Sequence, residues 1–150
     1  MQTSLFNKTL QTKAGSAAFI LRVPVGLILA AHGAQKLFGW FGGNGLAGTA
    51  QWLSSMGIEP GYLMALLAGG AEFFGGLALV IGLLTRPAAL VAAFTMLVAI
   101  FSVHIGNGLF AADGGYEYAL TLFVALIALA VQGGGYLSVD NALSEKLGRV

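Results

Sequence analysis

The chain is predicted to be all-α and membrane-embedded: a four-helix bundle built from one domain of residues 1–150, with both termini cytoplasmic. Three observations predict this. Charged residues make up 9% of the sequence and hydrophobic residues 57%, with a mean hydropathy of +0.85. A soluble domain carries roughly 25% charged residues, so the charges here are too few to solvate a globule, and lipid is the expected solvent. Four apolar stretches, at about 16–40, 61–84, 87–105 and 116–132, each approach the roughly 20 residues that a helix needs to cross hydrocarbon. No strand-like alternation interrupts them, and of the structures that satisfy their backbone within lipid, only the helix fits.

The elements follow in order. Met1 to Lys13 is polar, carries Lys8 and Lys13, and reads as a cytoplasmic tail. The first span, 16–40, contains Arg22, Pro24, His32 and Lys36. A signal peptide is the competing reading, but Arg22 would break its apolar region and three more spans follow. Gly42-Gly43-Asn44-Gly45 is turn chemistry. Leu46 to Ser55 reads as a short interfacial helix whose Trp52 suits the headgroup level. The second span, 61–84, holds Glu72 near its centre. Thr85-Arg86-Pro87 is expected to form a tight cytoplasmic turn into the third span, 87–105. Gly106 to Gly115 forms a second glycine-rich loop with Asp113. The fourth span, 116–132, opens with Glu117 and stops at Gly133-Gly134-Gly135. The tail from Tyr136 to Val150 mixes charges and reads as a short surface helix.

The basic residues orient the bundle. With both termini inside, Lys8, Lys13, Arg22, Arg86, Lys146 and Arg149 are cytoplasmic, and Lys36 alone lies outside. Arg22, near the inner boundary, is expected to snorkel to lipid phosphate. Some functions are excluded. With no cysteine, thiolate nucleophiles, disulfide exchange and cysteine-ligated metal clusters are absent. A net charge of +1 leaves no nucleic-acid footprint. Gly42-Gly43-Asn44-Gly45 lacks the strand–turn–helix context of a nucleotide loop.

An ionisable side chain within lipid is expensive and marks function by default. His32, Lys36, Glu72, His104 and Glu117 are therefore the candidate polar cluster. His32 and Lys36 are spaced i, i+4 and share a helix face. Glu72 lies roughly 16 Å below the outer end of its span, at about 1.5 Å per residue. Its face carries Ala65, Ala68, Gly69, Gly75, Gly76 and Leu79, mostly small residues that admit close backbone approach, so Glu72 is expected to point inward. All five are expected to converge in the outer half of the bundle. The bland alternatives are that Glu72 merely neutralises Lys36 or His32, that His104 caps its loop, and that Glu117 serves its helix dipole. No metal is expected, because Lys36 would repel a cation and the spacings match no ligand motif.

His32-Gly33-Ala34-Gln35-Lys36-Leu37-Phe38-Gly39, Glu72-Phe73-Phe74-Gly75-Gly76, Leu84-Thr85-Arg86 and Gly115-Tyr116-Glu117-Tyr118 together resemble the successive signatures of the DoxX family of small four-span membrane proteins. The resemblance covers about Ala18 to Val131. It implies a multi-pass protein of the bacterial cytoplasmic membrane in a redox setting, since relatives include the small-subunit type of an archaeal thiosulfate–quinone oxidoreductase and a membrane partner of oxidative-stress enzymes. A fold resemblance leaves function to be argued from the site.

Two readings follow. In the first, the protein is an accessory or quinone-interacting redox component. Phe38, Trp40, Phe73 and Phe74, with Phe101, would wall a quinone slot, and the polar cluster would handle its protons. No group would be covalently bound, and a partner oxidoreductase subunit would supply electrons. In the second, the protein is a non-enzymatic scaffold or a small proton-coupled carrier, and its glycine-rich faces would permit a homo-oligomer.

Overall fold

The computed structural model describes residues 15–147, all of whose regular elements are helical. The N-terminal tail with Lys8 and Lys13, and Arg149 at the other terminus, lie outside the described residues. Six α-helices follow in order: α1 (Ser16–Phe38), α2 (Gly45–Ser55), α3 (Gly61–Ile81), α4 (Thr85–Ala99), α5 (Glu117–Gln132) and α6 (Val139–Leu147). Helix α4 continues through one π-helical turn, Ile100–His104, and a 3-10 turn, Ile105–Asn107. Helices α1, α3, α4 and α5 run alternately up and down. One end of the bundle gathers the starts of α1 and α4, the ends of α3 and α5, and α6; it is the tail end. The other carries the two long loops and α2; it is the loop end.

Three segments are long and apolar enough to cross a membrane: Ser16–Phe38, Gly61–Ile81 and Thr85–Asn107. Helix α5 is apolar but has 16 residues, about 24 Å at 1.5 Å per residue, against about 30 Å of hydrocarbon. It matches the regular part of α4, on which it packs.

Lipid tails are as apolar as leucine, so helices in a membrane associate through close packing and polar contacts rather than hydrophobic burial. The α1–α3 seam shows this. A Cβ on Gly26 would lie 2.6 Å from Gly76 O, and one on Gly33 would lie 2.3 Å from Phe73 N. Ala65, Gly69, Glu72, Gly76 and Leu79 belong to the buried face of α3, as the small-residue pattern predicts, while Ala68 and Gly75 lie at its edges. That face is occupied by α1 within the chain. A second core joins α4 and α5 to α1 through Leu29, Ala92, Met96, Leu122 and Leu126.

The tail end departs from expectation in three ways. Arg22 does not snorkel; it is 1% exposed. Its Nε donates to Gly134 O at 2.9 Å and its Nη1 to Leu79 O at 2.9 Å, with further bonds to Val80 O and Leu137 O. The last carbonyls of a helix have no partner inside it, and a forked cation satisfies several at once. Arg86 serves α5 likewise, donating to Ala130 O at 2.8 Å and to Val131 O. Thr85-Arg86-Pro87 is not a separate turn but the first turn of α4; the chain reverses at Gly82–Leu84. Pro87 is tolerated there because an amide in the first turn has no intrahelical acceptor. The tail helix is not simply on the surface. Asp140 is 1% exposed and accepts from Leu84 N at 2.6 Å and Thr85 N at 2.8 Å, capping α4 from another element.

Three substitutions test this packing by thermal unfolding in detergent. Gly33→Ala should destabilise by about 1–3 kcal/mol, because the methyl meets backbone that cannot yield. Gly70→Ala, with nothing within 4 Å of its new Cβ, should be neutral or stabilising by up to about 1 kcal/mol. Asp140→Ala should cost about 1–3 kcal/mol by orphaning two amides, and should make α6 more susceptible to limited proteolysis.

Candidate functional site: a polar cavity in the bundle

The site begins with the α1–α3 seam. Gly33 meets the α3 backbone at Gly69 and Phe73, which leaves Lys36 facing Glu72, and the Lys36 Nζ donates to Glu72 Oε2. The two form a salt bridge across the seam, in which the Glu72 side chain is 5% exposed and that of Lys36 27%.

Beside the pair lies a cavity of about 100 Å³. Its polar lining is His32, Lys36, Glu72, His104 and Tyr118; Leu29, Met96, Ala99, Ala119 and Leu122 complete it. The His32 and Tyr118 rings are 6.0 Å apart. His104 comes from the π-helical turn, a local widening that recurs at functional sites. Its Nδ1 lies 2.8 Å from Gly114 O. A carbonyl only accepts, so Nδ1 carries the proton and Nε2 is left as the ring's acceptor.

Four of the five predicted cluster residues thus line one cavity. Glu117 does not; its Oε1 accepts from Ala111 N at 2.6 Å and pins the loop before α5. The predicted aromatic walls are elsewhere too. Phe38 packs edge-on to Phe73 at 5.1 Å, Phe73 on Phe74 at 5.2 Å, and Trp40 against Phe38 at 5.0 Å. This group and Phe101 do not line the polar cavity. The reason is helical: each residue turns about 100°, so Phe73 and Phe74 rotate off the inward face that Glu72 holds. Phe74 is 64% exposed. Tyr118 is the residue that sequence reasoning missed. It stands in the Gly115-Tyr116-Glu117-Tyr118 motif, where the charge of Glu117 draws attention away from the neighbouring phenol.

Chemically, the cavity gathers ionisable groups of three kinds at one point in an apolar bundle: imidazole, phenol, and a paired ammonium and carboxylate. Glu72 is the buried partner of the pair, so removing Lys36 leaves its charge uncompensated. Lys36→Ala should therefore lower stability by about 3–5 kcal/mol, whereas Lys36→Met with Glu72→Leu should recover most of it, as read by thermal unfolding in detergent.

The DoxX family model matches residues 17–105. The chain is 37% identical over 110 residues to "Inner membrane protein YqjF" of Escherichia coli K12, covering 72% of this chain and 82% of that protein. It is 32% identical over 121 residues to the Bacillus subtilis protein named "Putative oxidoreductase CatD", covering 81% and 82% respectively. No solved structure matches the chain. With its helical membrane architecture and a family match over most of its length, the chain belongs to the DoxX family.

Proposed function

We propose that this DoxX protein is a membrane-embedded component of a redox system in the bacterial cytoplasmic membrane, with both termini inside, and that its cavity handles protons for a quinone headgroup. The observation that carries the reading is the convergence of His32, His104, Tyr118 and the Lys36–Glu72 pair on one cavity. Two relatives support the setting, one named an inner membrane protein and the other an oxidoreductase by name.

The cavity of about 100 Å³ is smaller than the roughly 150 Å³ engineered void that takes benzene, so a quinone ring, larger than benzene, would extend beyond it. A quinone taking up two electrons also takes up two protons at its carbonyl oxygens. His32 and Tyr118 would hydrogen-bond those oxygens, and Glu72, charge-balanced by Lys36, would pass protons toward them. No side chain here carries electrons at such potentials, so a partner oxidoreductase subunit would supply both.

A second reading is a small proton-coupled carrier. The same volume would hold about three waters at roughly 30 Å³ each, enough for a proton path. Quinone binding to protein in nanodiscs separates the two. Saturable binding to the wild type, weakened at least about 10-fold (1.4 kcal/mol) in Glu72→Gln and His32→Ala while both variants stay folded at the assay temperature, is the expected result. No binding, together with loss of stability in both variants, would make the cluster structural and overturn the redox reading.

A further inference from the structure

A second cavity, of about 300 Å³, lies at the loop end, lined by Gln35, Lys36, Gly42, Gly43, Asn44, Thr49 and Trp52. Its lining is polar for so apolar a chain: two amides, a hydroxyl, an indole and glycine backbone. Gly42 and Asn44 are exposed, so it opens outward. Lys36 is the one residue that lines both cavities. The ammonium faces Glu72 on the inner side, where His32, His104 and Tyr118 are the other titratable groups; α2 presents only Thr49 and Trp52 on the outer side.

We infer that the outer cavity is the aqueous port of the buried site and that Lys36 is the movable wall between them. A lysine stem is flexible and its ammonium seeks water. With the ammonium on Glu72, the carboxylate is charge-balanced and its side chain is only 5% exposed. When the ammonium swings toward Asn44 and Trp52, water reaches Glu72, which takes a proton in place of its lost partner. On return of Lys36 the proton leaves Glu72, either to the bound acceptor or back through the port. Proton count and charge balance in each half of the cycle. Exchange is then confined to the loop end, the face opposite the tail. This rests on the reading of the inner cavity as a proton-handling site, and it adds the side of the membrane that the site serves.

The chain has no cysteine, so a single introduced thiol is a clean reporter. Ala119→Cys places one in the inner cavity and Thr49→Cys one in the port. A membrane-impermeant sulfonatoethyl methanethiosulfonate is applied to either face of oriented membrane vesicles. The thiol of the Ala119→Cys variant should react only from the loop-end face. The reaction should speed at least about 10-fold when Glu72→Gln is added, which keeps Lys36 but releases it. It should speed equally when Lys36→Ala and Glu72→Gln are added together, which leaves no lone charge. Asn44→Trp, filling the port, should slow it by a similar factor. Equal reaction from both faces, or no acceleration in either background while the Thr49→Cys variant reacts normally, would overturn the port. One-sided, Lys36-gated labelling without quinone binding would keep the port and discard the redox reading; quinone binding without gated labelling would do the reverse.

Discussion

The close approach of α1 to α3 is the constraint on which the rest depends. In lipid, apolar side chains gain little by meeting each other rather than hydrocarbon tails, so contact must come from shape. Glycines at 26 and 33 against 69 and 76 remove the side chains that would hold the backbones apart. That contact fixes the register that brings the Lys36 ammonium to Glu72. A wider seam would leave each charge alone in a medium that penalises it.

The tail end closes the bundle by a different means. Helix ends within or near the membrane expose carbonyls and amides that water cannot reach freely. Arg22 gathers carbonyls from the end of α3 and from the segment after α5, and Arg86 takes those at the end of α5. Asp140 supplies the complementary acceptor for the amides that open α4, replacing the side-chain cap that Leu84 cannot provide. With this end locked by hydrogen bonds, the polar cavity lies toward the other end, where α4 loosens into a π-helical turn and a long loop follows.

The ion pair carries a double reading because its energetics are balanced. A buried pair contributes little net stability over well-packed apolar residues, yet breaking it is costly. The pair is therefore weak evidence for stability in either direction. His32, His104 and Tyr118 share its cavity, and a second cavity adjoins Lys36 on the far side.

Composition and periodicity by themselves determined the solvent, the helices and the inward face of α3, because apolar stretch length and small-residue spacing are local properties. They also singled out His32, Lys36, Glu72 and His104, since charge in lipid is rare enough to stand out. Tertiary structure alone decided where those charges went. Arg22 and Asp140 look like boundary and surface residues until the chain ends fold back to present carbonyls and amides to them. Phe73 and Phe74 look like cavity walls beside Glu72 until the helical turn carries them outward. Tyr118 and Glu117 are adjacent in sequence, yet one lines the cavity and the other pins a loop. Such choices depend on which backbone groups distant segments leave unsatisfied, and on helix rotations set by packing across the α1–α3 seam, neither of which is a property of any single segment.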